Sequence, residues 1–232
     1  MIKAIIFDAD GPLYQRTSDN TDANISLLHD FGFDGDYSTF AEAYNSEIHQ
    51  VYDRSESVDA LFHNLFSKLD VDIDDAKMKN FIERFYTIRA HISPSPHAVE
   101  TLKWANENGY KTCVLTDHYL PSEGLRAWFE KLGMSQNLDA VVSSFDTRHL
   151  KDSPEAYEAC LSKLGVTAQE AVFVGHQQYE MDGAKKAGVM SICLRSIAIP
   201  EETKGDHTID NLGDLQNLLT QLNEKPTAQP LL

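Results

Sequence analysis

Short, largely apolar runs recur along the chain at Lys3–Phe7, Thr112–Leu115, Ala140–Val142, Ala171–Val174 and Ser191–Leu194, with a weaker sixth at His207–Ile209. Runs of this length without polar alternation are buried on both faces, the pattern of strands in a parallel sheet. Helical stretches separate most of them: Pro96–Asn108, Pro121–Leu132, Pro154–Leu164 and Glu180–Ala187. Strand–helix alternation predicts an α/β fold whose parallel sheet carries helices on both sides. The segment from Thr17 to His91 departs from this rhythm. It holds no good strand, only helical periodicities over Ala23–Phe31, Tyr37–Val51, Val58–Leu69 and Ala76–Ala90. Leu61, Leu65 and Leu69 share one stripe, and Phe81, Phe85 and Ile88 another, so both read as core. The chain is expected to be an α/β core of residues 1–16 and 92–232, interrupted after its first strand by an all-helical insert of residues 17–91. The tail Glu224–Leu232, with two prolines and little pattern, is expected to fray.

Composition narrows the class. The 232 residues are 42% hydrophobic and 24% charged, an ordinary globular balance with ample material for a core. Twenty Lys and Arg stand against 36 Asp and Glu, a net charge of −16. No basic run of five residues offers a phosphate-backbone footprint, so neither a nucleic acid polymer nor an anionic membrane is an expected partner. The apolar stretch before Asp8 is too short for a signal peptide, and no stretch approaches the ~18 apolar residues of a membrane span. Cys113, Cys160 and Cys193 are odd in number, lack paired short spacing and sit in apolar surroundings. They read as buried thiols in a reducing cytoplasm, the expected location.

Candidate chemistry begins where the first strand ends, at Phe7-Asp8-Ala9-Asp10-Gly11-Pro12-Leu13-Tyr14. Two carboxylates at i and i+2 leave a strand on one face, at the sheet edge where open α/β folds bind ligands. Neighbouring carboxylates repel unless a cation or a shared proton compensates. The arrangement suits one carboxylate as nucleophile beside a second that moves a proton, although an acidic strand-to-turn cap has the same spelling.

The segment resembles the first motif of the haloacid dehalogenase (HAD) superfamily, Asp-x-Asp-Gly-x-Leu. The resemblance implies a HAD-like, Rossmann-type core with Asp8 as the nucleophile that forms an aspartyl-phosphate and Asp10 as general acid/base. Haloacid dehalogenases lack a carboxylate at the second position and phosphatases carry one, so Asp10 points to a phosphatase. Val114-Leu115-Thr116-Asp117 is similar to the second motif, with Thr116 as the hydroxyl that contacts the phosphoryl group and Asp117 where relatives often have Asn. Lys151, opening Lys-Asp-Ser-Pro-Glu-Ala-Tyr, is similar to the third motif, commonly Lys-Pro-x-Pro, with Asp152 in place of the first proline. A lysine there would hold Asp8 ionised and neutralise phosphoryl oxygens.

Val172–Gly188 resembles the fourth motif, and here the pattern breaks. Alignment on Gly183-Ala184 puts His176 at the first acidic position, where the family has its metal-binding Asp, and Glu180 at the second. Asp182 is a spare carboxylate expected to turn away. The resemblance implies a Mg²⁺ site built from Asp8, Asp10, His176 and Glu180. Imidazole suits Mn²⁺ or another softer divalent ion better than Mg²⁺. Three outcomes stay open: weak Mg²⁺ binding, a softer ion held by His176, or a weakened site that binds without turning over.

The helical insert matches a C1 cap, which closes over the strand ends and selects substrate, with hinge loops expected at Pro12–Thr17 and His91–Pro96. His49, Tyr52, Arg54 and Arg89 are candidates for substrate contact from it. The resulting expectation is a HAD-like phosphatase acting on a small phosphorylated metabolite, as a monomer or homodimer. The alternative is a catalytically weakened relative that binds a phosphorylated ligand or a protein partner.

Overall fold

The computed structural model describes residues 1–17, 19–195 and 203–224. In chain order the elements are β1 (Ala4–Phe7), β2 (Tyr14–Arg16), α1 (Asp19–Asp30), α2 (Tyr37–Tyr52), α3 (Val58–Lys68), α4 (Asp75–Arg89) and β3 (Ile92–Pro94). There follow α5 (Ala98–Glu107), β4 (Lys111–Thr116), α6 (Ser122–Lys131), β5 (Ala140–Ser143), α7 (Ser144–Thr147), α8 (Pro154–Leu164), β6 (Ala171–Gly175), α9 (Gln178–Lys186), β7 (Met190–Leu194), β8 (His207–Ile209) and α10 (Leu215–Glu224).

Six strands form one parallel sheet in the order β5-β4-β1-β6-β7-β8. All four residues of β1 are buried, because alternate side chains feed two separate cores. Ile5 and Phe7 pack with Leu102 of α5, Phe129 of α6 and Leu215 of α10. Ala4 and Ile6 pack on the opposite face with Tyr157 and Cys160 of α8 and Met181 of α9. Register fixes the functional edge: Phe7 is level with Val114 of β4 and Val174 of β6, so the residues after all three strands emerge together.

The helices α1–α4 build a third core of their own, around Phe40, Tyr44, Leu61, Phe62, Leu65, Phe66, Phe81 and Phe85. Edge-to-face rings hold it, with Phe66 and Phe81 centroids 4.7 Å apart and Phe62 and Phe85 5.2 Å apart. Ser57 and Asp74 cap α3 and α4 by accepting from the backbone N–H of Ala60 and Lys77.

The expected hinge loops are not loops throughout. β2 and β3 pair as an antiparallel ribbon, Tyr14 with Pro94, Gln15 with Ser93 and Arg16 with Ile92, which ties the two ends of the helical insert together. Three-residue strands carry too little alternation to be seen, and Pro94 reads as a strand breaker although an edge position tolerates it. Tyr14 is buried against Trp128 and Phe129, so the ribbon is anchored to the core. Helix α10 is a further element beyond those the periodicity predicts; Leu215 and Leu219 bury its apolar stripe. The tail beyond Glu224, expected to fray, lies outside the described residues.

Candidate active site

Asp8 follows β1 directly and is buried, 2% exposed, in the floor of a cavity of about 540 Å³ between the sheet edge and the helical insert. Thr116 ends β4 beside it and is also buried. Lys151 enters from the loop before α8 and is 4% exposed. Its Nζ makes a short contact with Asp8 Oδ1 and donates to Glu180 Oε1 at 2.6 Å. Burial opposes the charge of Lys151, but Asp8 and Glu180 outweigh it and hold the ammonium well above its ordinary range. Burial likewise opposes the Asp8 carboxylate, and Lys151 with His176 overcomes that and keeps it ionised below the usual value.

Glu180 is wholly buried in the first turn of α9 and serves two structures at once. Its Oε1 binds Lys151, while Oε2 accepts from the backbone N–H groups of His176 and Gln177 at 3.0 and 3.1 Å, one half of a capping box with Gln177. Two glycines make this possible. A Cβ at Gly175 would lie 2.6 Å from Glu180 Oε2, and one at Gly183 would lie 1.8 Å from the carbonyl oxygen of Lys151. Tyr157 Oη sits between the carbonyls of Glu180 (2.7 Å) and Lys151 (3.0 Å), clamping the helix to the lysine loop.

His176 leaves β6 and turns its ring into the site. Its Nδ1 is buried, 3.2 Å from Asp8 Oδ2 and 3.9 Å from Glu180 Oε2, in ion-pair range of both carboxylates but without a well-formed hydrogen bond to either. Burial lowers the imidazole's basicity, but Asp8 and Glu180 outweigh it and leave the ring more basic than usual. Asp8, His176 and Glu180 offer ligand atoms within 4.8 Å of one another. The partnerless Nδ1, facing a carboxylate oxygen, fits a small cation seated between them.

Asp10 lies at the rim, its side chain 49% exposed, and pairs through Oδ2 with Arg16 Nη2 at 2.8 Å. Arg16 Nη1 donates to the carbonyl of Arg89 at 2.7 Å, so a ribbon residue links the second aspartate to the end of α4. Nothing in the sequence marked this pairing, because the antiparallel ribbon that aims Arg16 was itself hidden. Asp117, the departure from the second motif, is itself part of the site. Its carboxylate accepts from the backbone N–H of Lys151 at 3.1 Å and from Tyr179 Oη at 3.2 Å. Burial first, then Glu180 and Asp8, push it up to about 6 against the opposing pull of Lys151.

The six residues singled out in the sequence, Asp8, Asp10, Thr116, Lys151, His176 and Glu180, all line this one cavity. Asp182 is exposed and takes a hydrogen bond from Gln178 instead. Of the four candidate contacts from the helical insert, His49, Tyr52 and Arg89 line the cavity, together with Asn45 and Ile48. Arg54 lies elsewhere, its guanidinium 4.6 Å above the ring of Phe145.

A family model described as haloacid dehalogenase-like hydrolase matches residues 2–188. The chain is 24% identical over 231 residues to pyrophosphatase PpaX of Bacillus cereus strain AH820, covering 96% of this chain and 98% of that protein. It is 25% identical over 249 residues to ribulose-1,5-bisphosphate 5-phosphatase of Halopiger xanaduensis, covering 95% of this chain and all of the relative. Among solved structures, the L-2-haloacid dehalogenase of Xanthobacter autotrophicus with chloropropionic acid covalently bound superposes with a TM-score of 0.71 at 19% identity, over 95% of this chain and 99% of that one. The chain belongs to the haloacid dehalogenase-like hydrolase family.

Proposed function

Within that family, we propose that the chain is a phosphomonoester hydrolase acting on a small phosphorylated metabolite. The observation that carries the reading is the buried Asp8 carboxylate, held ionised by Lys151 at the end of the central strand, with Asp10 two residues on at the cavity rim. A dehalogenase has no use for that second carboxylate. The names of PpaX and of the bisphosphate phosphatase support the same direction.

Asp8 attacks phosphorus in line, forming an O–P bond as the bond to the leaving oxygen breaks. Asp10 gives that oxygen its proton, then takes one from the water that attacks phosphorus and frees Asp8. The pairing with Arg16 uses Oδ2 of Asp10, which leaves Oδ1 for this task. Lys151 and the Thr116 hydroxyl bind the phosphoryl oxygens. Asp8, Asp10, His176 and Glu180 would hold a divalent cation, Mg²⁺ or a softer ion such as Mn²⁺. When bound, the ion supplies positive charge against the phosphoryl oxygens. The helices α1–α4 act as a cap that keeps water from the cavity. Three buried free thiols accord with a cytoplasmic protein, which works alone or as a homodimer.

A second reading rests on one residue. His176 replaces a carboxylate that would draw in a cation, which favours a protein that binds a phosphorylated ligand without turning it over. A panel of phosphometabolites with Mg²⁺, Mn²⁺ or Co²⁺ in turn separates the two. Hydrolysis by the wild type that disappears in Asp8→Asn supports the enzyme, whereas turnover only in His176→Asp supports the binder. Hydrolysis unchanged in Asp8→Asn removes the mechanism.

A further inference from the structure

The cavity has two ends of opposite character. Its floor gathers the carboxylates of Asp8, Asp117 and Glu180, with Asp10 at the rim. Its roof, formed by Asn45, Ile48, His49 and Tyr52 of α2 and Arg89 of α4, contributes no carboxylate among the described residues. Arg89 is the roof's cation. Two other arginines have anions, Arg16 with Asp10 and Arg84 with Asp30, each at 2.8 Å. Arg89 pairs with none among the described residues; its guanidinium lies 5.2 Å over the ring of Tyr44 and 5.3 Å over that of Phe85. Those faces hold the group in place without neutralising it.

A basic residue in the last turn of a helix is satisfied by the helix dipole alone. That explanation does not account for an arginine that lines a cavity beside a hydrogen-bonding Asn, His and Tyr. The positive field of this region acts on its neighbours. His118, buried beneath the roof and stacked on Tyr119 at 4.4 Å, is pushed down to about 3 by burial, then by Arg16 and Arg89. A partly desolvated arginine without a counter-charge is a carboxylate or phosphate receptor, since its planar fork matches both.

Resting on the phosphatase reading, we propose that Arg89 determines specificity by binding a second anionic group, a carboxylate or a second phosphate, on the leaving-group side of the substrate. The reacting phosphoryl group sits on the floor, and the rest of the molecule reaches the roof. A cavity of about 540 Å³ suits a metabolite carrying both groups. On a chain of net charge −16, such a local cation also offsets the general repulsion of a doubly anionic ligand.

Three unreactive probes test this by calorimetry under one metal condition: phosphonoacetate carries a second carboxylate, methylenediphosphonate a second phosphonate, and ethylphosphonate neither. Arg89→Met keeps the apolar stem over Tyr44 and Phe85. It is expected to weaken phosphonoacetate, methylenediphosphonate or both by about tenfold or more, and ethylphosphonate by less than about threefold. Which of the two loses more identifies carboxylate or phosphate as the group bound. Arg89→Lys, which keeps the charge but not the fork, is expected to fall between. Should Arg89→Met not fold, the wild type must still prefer a dianionic probe over ethylphosphonate by about tenfold, with Arg89→Lys reducing that preference. Equal binding of all three probes, or a loss in Arg89→Met that is the same for all, overturns the inference alone. Failure of the wild type to bind any of them removes the phosphatase reading, and the inference with it.

Discussion

The floor and the roof of the cavity are built on different principles. The floor is crowded with charge that is already matched: Lys151 lies between Asp8 and Glu180, the backbone N–H of His176 donates to Glu180, and Asp10 at the rim holds Arg16. The roof is aromatic and half polar, and its one guanidinium rests on ring faces. Charges fully buried in a floor are held by geometry and cost much to disturb, whereas a roof cation at the surface of a helical bundle changes affinity at little cost to the fold. On the proposed function, the difference separates chemistry from selection. Substitutions in the floor are expected to damage stability and turnover together, and substitutions in the roof to change which ligand is bound.

The largest stability effect is expected from Lys151→Met. It strands two buried carboxylates, and breaking such a pair costs about 3–5 kcal/mol. At that size the melting temperature falls by roughly 6–20 °C, readable by calorimetry. Arg89→Met should lower it by no more than about 2–4 °C, the value of a partly exposed guanidinium whose stem stays over the Tyr44 and Phe85 rings. Equal losses at the two positions would erase the distinction between floor and roof.

Next comes Gly183→Ala. The added methyl meets the carbonyl oxygen of Lys151, so α9 must retreat from the lysine loop. Overpacking of this kind costs about 1–3 kcal/mol, and because the retreat loosens Lys151 from Glu180 it should also lower turnover. Stability loss with full activity would show that the close approach serves packing alone.

The effect with the sharpest pH signature is at Asp117. The Asp117 carboxyl titrates near 6 in the folded chain against an ordinary value of 3.8, so the folded state binds its proton more tightly than the unfolded one. Its stabilising contribution is complete below pH 3.8 and is lost as the pH rises through about 6. Asp117→Asn should therefore raise stability at pH 8 by up to about 3 kcal/mol and leave it nearly unchanged at pH 3.5. Asp8 has the opposite sign: its lowered value makes its contribution present at neutral pH and lost on acidification. Urea titrations at the two pH values read the first effect directly, and a stabilisation of Asp117→Asn that does not vary with pH would contradict it.

The same contrast explains what could be read in the sequence. Parallel register converts three strand ends into one edge, so Asp8, Thr116 and His176 could be placed together from the apolar runs that precede them. Resemblance then supplied Lys151 and Glu180, and the geometry brings them to the same point. The helices of the insert were equally visible, since Leu61, Leu65, Phe81 and Phe85 bury the stripes their spacing predicts. Which roof residues face the cavity was not visible. Arg54 and Arg89 both lie near helix ends, and only the packing of α2 and α4 sends one over Phe145 and the other into the cavity. Arg16 escaped notice for another reason: its direction depends on a ribbon whose two strands are 76 residues apart at Arg16 and Ile92 and three residues long.

The central claim is that Asp8 receives the phosphoryl group. Acid-quenched turnover of a radiolabelled phosphomonoester, followed by peptide mapping, tests it most directly. Label on the peptide containing Asp8 in the wild type, and none in Asp8→Asn, is the expected result. Turnover by the wild type with no label on that peptide, or by Asp8→Asn at an unchanged rate, would contradict it.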